Sequence, residues 1–296
     1  MIDAFNQTYG AAARFDINRG MTEEEIRKVA PSVFATTAHH SRSERFAPIP
    51  TIEILRALRK EGFEVVGAKQ SLARIEDKRD FTKHLLRLRR LGVQKAYQVG
   101  DTVCEMLLKN ANDGSAVYDL FAGLFRIRCL NSLVANLGTV DSVKVRHTGK
   151  DVINNVIEGT YTVVENAKLA LAAPKDWQQI QLDRDEKVAF AEAARVARFA
   201  DAEGKVDTPI TADQFLHVRR RDDQENNLWT NFNVIQENAL RGGLNGVRRT
   251  EQGQRRRMST REVKGIDQDV RLNRALWTLA TKMAELKGWK EPSPQR

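Results

Sequence analysis

The residues of this sequence that could do chemistry are mostly arginines and lysines placed along short extended segments. Within Leu86–Arg89, apolar and basic side chains alternate, which is the pattern of a β-strand with one apolar and one basic face. The same alternation occurs in Phe125–Cys129 and in Val143–Arg146. If these segments lie in one sheet in matching register, one outward face carries six cations: Arg87, Arg89, Arg126, Arg128, Lys144 and Arg146.

Like charges that lie side by side in a sheet repel one another, and an anion across them removes that repulsion. A nucleic-acid backbone supplies regularly spaced phosphates of this kind. We therefore predict that this face contacts nucleic acid. The alternative is an ordinary polar outer face whose cations pair with acidic residues of a covering helix.

A second basic element lies further along the chain. Between Arg241 and Lys264 the sequence has eight basic and two acidic residues, and few apolar ones. We expect an exposed basic loop over residues 242–265 that gains affinity for nucleic acid by releasing counterions. A solubilising loop and a subunit-contact arm are the alternatives. The contacts predicted in this loop are Arg248, Arg249, Arg255, Arg256, Arg257 and Arg261.

Signatures of catalysis are weak or absent. The sequence has no Gly-x-x-x-x-Gly-Lys-Ser/Thr loop, Gly-x-Gly-x-x-Gly, His-Glu-x-x-His or Gly-x-Ser-x-Gly motif. Glu262 and Lys264 match only the end of a nuclease pattern, and we interpret them as a solvated pair. His39 and His40 suggest a metal, but no third ligand is obvious nearby, so we interpret them as part of an exposed linker. We predict no catalytic residues, metal or cofactor.

The two cysteines, Cys104 and Cys129, are too few for a disulfide framework or a structural zinc site. Both fall in apolar extended segments, and we interpret them as buried, reduced thiols of a cytoplasmic protein. A nucleophile pair of Cys104 with His84 or His147 is the less favoured alternative. No apolar run approaches the roughly 20 residues of a membrane span, and the N-terminus does not resemble a signal peptide. We therefore expect no membrane partner.

Length and patterning indicate an α+β protein. The chain has 296 residues and a formal net charge of +9. We expect an N-terminal helix and linker over 1–46, a sheet domain with helices over 47–148, and a helical region over 149–296. Thr22 and Glu25 form a capping-box pattern at a helix start. Asn112–Gly114 is typical of a turn between two antiparallel strands.

Several separated motifs resemble a phage- and plasmid-related family of unknown function, domain of unknown function 932. They are Asn110–Ser115, Ala122–Leu133, Leu228–Asn238, Arg241–Gly243 and Arg271–Trp277. The resemblance implies a mobile genetic element in a bacterial cytoplasm, and it implies no activity and no catalytic residue. In outline, the expected layout is also similar to annealing proteins of the RecT and Red-beta type, which form rings or filaments on DNA.

These observations predict a non-catalytic, ATP-independent DNA-binding protein. Its expected task is to bind or anneal single-stranded DNA in phage or plasmid recombination or replication, as a homo-oligomer. One alternative is a metal-dependent nucleic-acid enzyme in which Glu262 and Lys264 act. The other is a protein-interaction module that inhibits a host defence system, with the basic surface contacting an acidic protein.

Overall fold

An antiparallel sheet dominates the first half of the chain, and helices dominate the second half. The computed structural model describes residues 19–73, 75–91, 102–129, 133–145, 156–163, 172–249 and 252–290. The predicted α+β class is confirmed, while the predicted three-part division stays a prediction. Two compact units divide the chain: Met1–Asn136 with Val140–Lys168, and Leu137–Thr139 with Leu169–Arg296.

The first unit combines a five-stranded sheet with helices. The strands lie in the order β1-β2-β3-β4-β5, so each strand neighbours its successor in the sequence. Strands β1 to β4 are joined by antiparallel ladders. In chain order, the elements are α1 (Glu23–Val29), α2 (Thr51–Lys60), β1 (Phe63–Gln70), β2 (His84–Arg90), β3 (Thr102–Asn110), β4 (Tyr118–Cys129), β5 (Leu133–Val145) and α3 (156–163).

Local sequence signals set the ends of these elements. The Thr22 hydroxyl accepts a hydrogen bond from the Glu25 amide, and the Glu25 carboxylate accepts one from the Thr22 amide, which confirms the capping box. The turn predicted at Asn112–Gly114 lies between β3 and β4. Gly114 has a φ of 78°, which a residue with a side chain rarely adopts.

One face of the sheet packs against helices α1 and α2. Apolar residues at helical spacing, such as Ile26, Leu55 and Leu58, are fully buried on those helices. They form a cluster with alternate residues of the strands, because successive side chains of a strand point to opposite faces. We call this the core face; its strand residues include Leu86, Leu88, Met106, Leu108, Leu120 and Ala122.

A buried histidine connects the sheet to the helices. The Nδ1 atom of His84 lies 2.9 Å from the Ser32 hydroxyl, and its Nε2 atom lies 2.9 Å from the Thr51 hydroxyl. Asn110 donates to Thr51 and to the Ile49 carbonyl. His84 is completely buried, and burial lowers its pKa to about 4 because the charged imidazolium loses its hydration. The network is therefore a structural one built on a neutral imidazole.

The second unit contains five helices and a two-stranded hairpin in the part that the structure describes. Its elements are α4 (Ala173–Trp177), α5 (Arg184–Phe199), α6 (Ala212–Phe215), α7 (Leu228–Arg241), β6 (Asn245–Arg249), β7 (Arg255–Ser259) and α8 (Ile266–Leu286).

Helix α7 is buried on all sides over most of its length. On its apolar side, Trp229 and Phe232 form an aromatic cluster with Trp177 and Trp277, in which ring-centroid separations are 4.6–6.3 Å. Several of its polar side chains bond within the unit: Gln236, for example, donates to the Asn273 side chain. A helix buried in this way serves as the scaffold on which the surrounding elements are placed.

Within the ranges given above, no helix is both long enough and apolar enough to cross a membrane.

We predict that His84 makes the protein less stable in acid. Since the unfolded-state pKa is near 6.5 and the folded-state pKa is about 4, only the unfolded chain takes up this proton between those values. The free energy of unfolding should therefore fall by about 2 kcal/mol between pH 7 and pH 5 from this group. Urea unfolding at both pH values measures the change.

The variants His84→Asn and His217→Asn control this prediction. His84→Asn should lower stability at both pH values but remove this part of the pH dependence, whereas replacing the exposed His217 should leave it intact. An equal pH dependence in His84→Asn and the wild type would contradict the assignment.

Candidate nucleic-acid interface

The predicted basic face of the sheet does not exist as a single face. Arg87 on β2 pairs with Leu107 on β3, and Leu107 pairs with Phe121 on β4. The three side chains therefore lie on the same face of the sheet, opposite the core face, and we call it the second face. Arg126 on β4 pairs with Thr102 on β3. Thr102 is five residues from Leu107, and side chains an odd number of residues apart point to opposite faces of a strand. Arg126 therefore points to the core-face side. The prediction that Arg87, Arg89 and Arg126 share a face is wrong, because register depends on strand pairing rather than on alternation within one strand.

The arginines of β2 pair with an acidic residue of the neighbouring strand, not of a covering helix. Glu105 on β3 lies between Arg87 and Arg89 of β2 and is 1% exposed. Arg87 donates Nη2 to its carboxylate at 3.0 Å, and Arg89 donates Nε at 3.1 Å. Burial opposes ionisation of Glu105, but the two guanidinium groups outweigh it and lower its pKa. The carboxylate therefore stays charged and neutralises part of this face.

The second face is closed to solvent around this ion-pair group. Arg89 is 2% exposed, and Leu107, Phe121 and Phe125 are buried. The Arg87 guanidinium lies over the Phe125 ring at 4.3 Å. Buried charges of this kind stabilise one arrangement of the sheet and are not free to contact a phosphate.

The other sheet residues predicted to contact DNA are only partly described. Arg126 is half-buried on β4. Arg128 and Lys144 belong to β4 and β5, but their side chains lie outside the described part, as does Arg146 altogether. Contact of these four residues with DNA stays a prediction.

The segment predicted as a basic loop contains a β-hairpin. Strands β6 and β7 pair antiparallel, with Arg248 opposite Arg256 and Arg249 opposite Arg255. Alternation of apolar and polar residues, the usual signal for a strand, is missing here because few apolar residues are present. The loop prediction is therefore wrong for these two strands.

Glycines at the base of the hairpin turn the chain out of helix α7. Gly242 has a φ of 72°, and a Cβ atom there would lie 2.6 Å from the Thr260 carbonyl oxygen. Only glycine fits this approach. The Gly243 amide donates to the same carbonyl at 2.8 Å, and the Thr260 amide donates to the Leu244 carbonyl at 2.8 Å. These bonds extend the hairpin ladder down to the body of the unit.

One face of the hairpin is turned toward the rest of the second unit, and the other face is turned away from it. On the first face, Gly246 approaches Pro209 so closely that a Cβ atom would lie 2.7 Å from the proline ring, and Arg248 pairs with Asp207. The opposite face holds Val247, which is 53% exposed, and the exposed residues Arg255 and Arg257. This outward face is an exposed basic surface, in contrast to the ion-paired Arg87 and Arg89 of the sheet.

A separate set of arginines holds the helices beneath the hairpin. Arg219 donates Nε to the Asn238 side chain at 2.6 Å and Nη2 to the Gly242 carbonyl at 2.7 Å. Arg220 makes two hydrogen bonds to the Glu237 carboxylate, at 3.0 and 2.9 Å. Desolvation lowers the pKa of Arg219. These cations are part of the scaffold, so basic residues in this region fall into a structural group and an exposed group.

The structure separates the residues of the proposed nucleophile pair. Cys104 lies six residues along β3 from Asn110, the partner of His84, which places them roughly 20 Å apart. Burial, together with the charge on Glu105, raises the Cys104 pKa to about 12. The pairing of Cys104 with His84 is wrong, and His147 lies outside the described residues.

Two residues that shape the candidate surfaces escaped the sequence analysis. Glu105 lies within the apolar run Val103–Leu108. An acidic residue inside such a run could have indicated a buried ion pair. Asp207 lies in a different segment from its partner Arg248, so no local pattern identifies it.

We predict that Glu105→Gln destabilises the protein by about 3–5 kcal/mol, because it leaves two buried guanidinium groups without their counter-charge. Urea unfolding followed by circular dichroism measures the loss. Glu24→Gln is the matched control: Glu24 and its partner Lys28 are both largely exposed, so its effect should stay below about 0.5 kcal/mol. Equal stabilities of the two variants would show that Glu105 is not the buried anchor.

Comparison with known proteins shows to which family the chain belongs. It is 42% identical over 272 residues to the UPF0380 protein YafZ of Escherichia coli (strain K12), covering 92% of this chain and 94% of that protein. The UPF0380 protein YfjQ of the same strain matches to the same extent. No solved structure matches. The model of the "Domain of unknown function (DUF932)" family matches residues 38–277, and the chain therefore belongs to that family.

Proposed function

We propose that this protein binds DNA without catalysing a reaction and without ATP, and that the β6–β7 hairpin is its contact surface. The observation that carries the proposal is the register of the hairpin, which places position 249 opposite Arg255 and places Arg248, whose charge Asp207 offsets, opposite Arg256. Like charges directly opposite each other destabilise a strand pair, and a two-stranded hairpin has little stability to lose. A polyanion across the hairpin would convert this repulsion into binding energy.

The surroundings of these arginines support the proposal. Arg255, Arg256 and Arg257 are exposed, and no carboxylate within the described ranges makes an ion pair with them. This contrasts with Arg87 and Arg89, which share a buried carboxylate. Exposed arginines can make bidentate contacts with phosphate oxygens at little desolvation cost.

The hairpin offers contacts to the phosphate backbone rather than to bases. Residues 245–259 include no aromatic side chain, and base stacking on aromatic rings is the usual source of base contact in single-strand binding. Binding is therefore expected to depend weakly on base sequence. Single-stranded DNA is the form we propose, and annealing of complementary strands is the activity that would follow.

The proposal also covers the host, the location and the assembly of the protein. The relatives named above come from a bacterium, which supports a bacterial host. We propose a cytoplasmic protein of a phage or plasmid that assembles into a homo-oligomer on DNA. Mass measurement in solution, with and without a short single-stranded oligonucleotide, reports binding and assembly together.

We predict that binding to a labelled single-stranded oligonucleotide weakens steeply with salt. If the six arginines of the hairpin and its C-terminal flank each neutralise one phosphate, the slope of log K against log [salt] is about −4. Fluorescence anisotropy between low and moderate salt measures the slope. An affinity independent of salt would remove the proposal, and a comparison with duplex DNA of equal length tests the strand preference.

We predict that the triple variant Arg255→Gln, Arg256→Gln, Arg257→Gln reduces this slope to about −2, because three phosphate contacts are lost. The matched control replaces three exposed arginines elsewhere, Arg45, Arg79 and Arg271, with Gln and has the same net charge. The control should keep a slope near that of the wild type. Equal losses in both variants would mean that net charge, rather than the hairpin, determines binding.

Two further measurements separate the remaining functions. Product formed from DNA with Mg²⁺ or Mn²⁺, and lost in Glu262→Gln, would support the nucleic-acid enzyme instead. An acidic protein partner that stays bound after nuclease treatment would support the interaction module.

A further inference from the structure

The segment around His39 and His40, predicted as an exposed linker, is held in place by the sheet unit. The His39 amide donates to the Asn112 carbonyl at 2.9 Å, and the Arg42 amide donates to the His39 carbonyl at 2.9 Å. The His39 side chain is 2% exposed and lies edge-on to Phe81 at a centroid distance of 5.4 Å. His39 is therefore a rigid, buried side chain with one ring edge left to make polar contacts.

A third polar group approaches the two histidines from a different part of the chain. Asp77 lies in the 3₁₀ turn Glu76–Lys78. Its Oδ2 atom is 3.3 Å from the His39 Nε2 atom and 3.8 Å from the His40 Nε2 atom. One ligand atom from each of the three residues lies within 4.8 Å of the others. The fold thus supplies the third ligand that the sequence did not reveal.

These distances are close to those of a metal centre. Bonds of 2.0–2.2 Å at tetrahedral angles hold neighbouring ligand atoms about 3.4 Å apart. The separation of His39 and Asp77 already meets this value. The separation of His40 and Asp77 is 3.8 Å and that of the two histidines is within 4.8 Å, and a rotation of the exposed His40 side chain would shorten both. Two imidazoles and one carboxylate form a set that suits zinc, cobalt or iron(II) better than magnesium or calcium.

The contact behind His39 suits a ligand role. Its Nδ1 atom lies 2.8 Å from the Ser41 hydroxyl oxygen and accepts a hydrogen bond from the Ser41 amide at 3.2 Å, so the ring proton lies on Nε2 and is donated to Asp77. Metal binding at Nε2 would move this proton to Nδ1, where the Ser41 hydroxyl oxygen can accept its hydrogen bond in place of the amide contact. Metal-binding histidines usually have such a partner on the other ring nitrogen. Two contacts disfavour a cation here: the Ser41 amide donates to Nδ1, and the positively charged Arg42 guanidinium donates to the Ser41 hydroxyl.

We infer that His39, His40 and Asp77 bind one divalent transition-metal ion of the zinc class. His40 and Asp77 are exposed, with side-chain exposures of 77% and 51%, so the ion can enter from solvent. Three protein ligands leave a fourth position for water or for an oxygen atom of another molecule, as in open zinc sites. Without a metal, the same residues make only an ordinary histidine–aspartate hydrogen bond, and titration distinguishes the two cases.

The test uses the full chain after treatment with a chelator. Cobalt(II) should give the visible absorption of a four-coordinate ion with a stoichiometry of one per chain, and zinc chloride should displace it in calorimetric titration. His40→Asn and Asp77→Asn should each weaken binding at least about tenfold. Both side chains are exposed, so these variants are expected to keep the wild-type circular dichroism and stability.

His217→Asn and Asp80→Asn are the matched controls, since they remove another exposed histidine and another exposed acid of the same region as Asp77. Both should bind cobalt like the wild type. Zinc should also raise the midpoint of thermal unfolding in the wild type and the controls but not in His40→Asn or Asp77→Asn. Absence of cobalt absorption in the wild type, or equal binding by all four variants, would overturn the inference.

Discussion

The carboxylate of Glu105 lies buried between the guanidinium groups of Arg87 and Arg89, and this contact determines what the sheet can do. Removing three charges from water is costly, and the arrangement persists because each group satisfies another. It joins β2 to β3 and fills the second face with internally paired charge. A face of this kind supports the fold rather than an external ligand.

Within the described residues, the β6–β7 hairpin carries a group of exposed arginines. The hairpin contacts the rest of its unit through the glycine turn after helix α7, through Pro209 and Asp207, and through Gln214, which donates to the Asn245 carbonyl. Its outward face carries arginines beside the exposed Val247. The protein thus has two classes of arginine, buried ones that fix the packing and exposed ones that are available to a polyanion. Net charge alone does not distinguish them.

Other buried polar residues also find their partners inside their own unit. His84 is neutral and bonded to Ser32 and Thr51, and Glu237 of helix α7 is bonded to Arg220. His39 differs, because the Nε2 edge of its ring faces the exposed side chains of Asp77 and His40 instead of other buried groups. That difference is why the proposed metal site lies at the surface, whereas the other buried polar groups serve the core.

Much of the local structure could be read from the amino-acid order, because capping, turns and helical periodicity depend on residues a few positions apart. The Thr22–Glu25 capping box, the turn at Asn112–Gly114 and the helix Ile266–Leu286 are of this kind. Three other features could not be read in this way: the face to which Arg126 points, the pairing of Glu105 with β2, and the approach of Asp77 to His39. Each joins residues distant in the chain, and strand register and loop packing, which depend on the energy of the whole fold, set their positions.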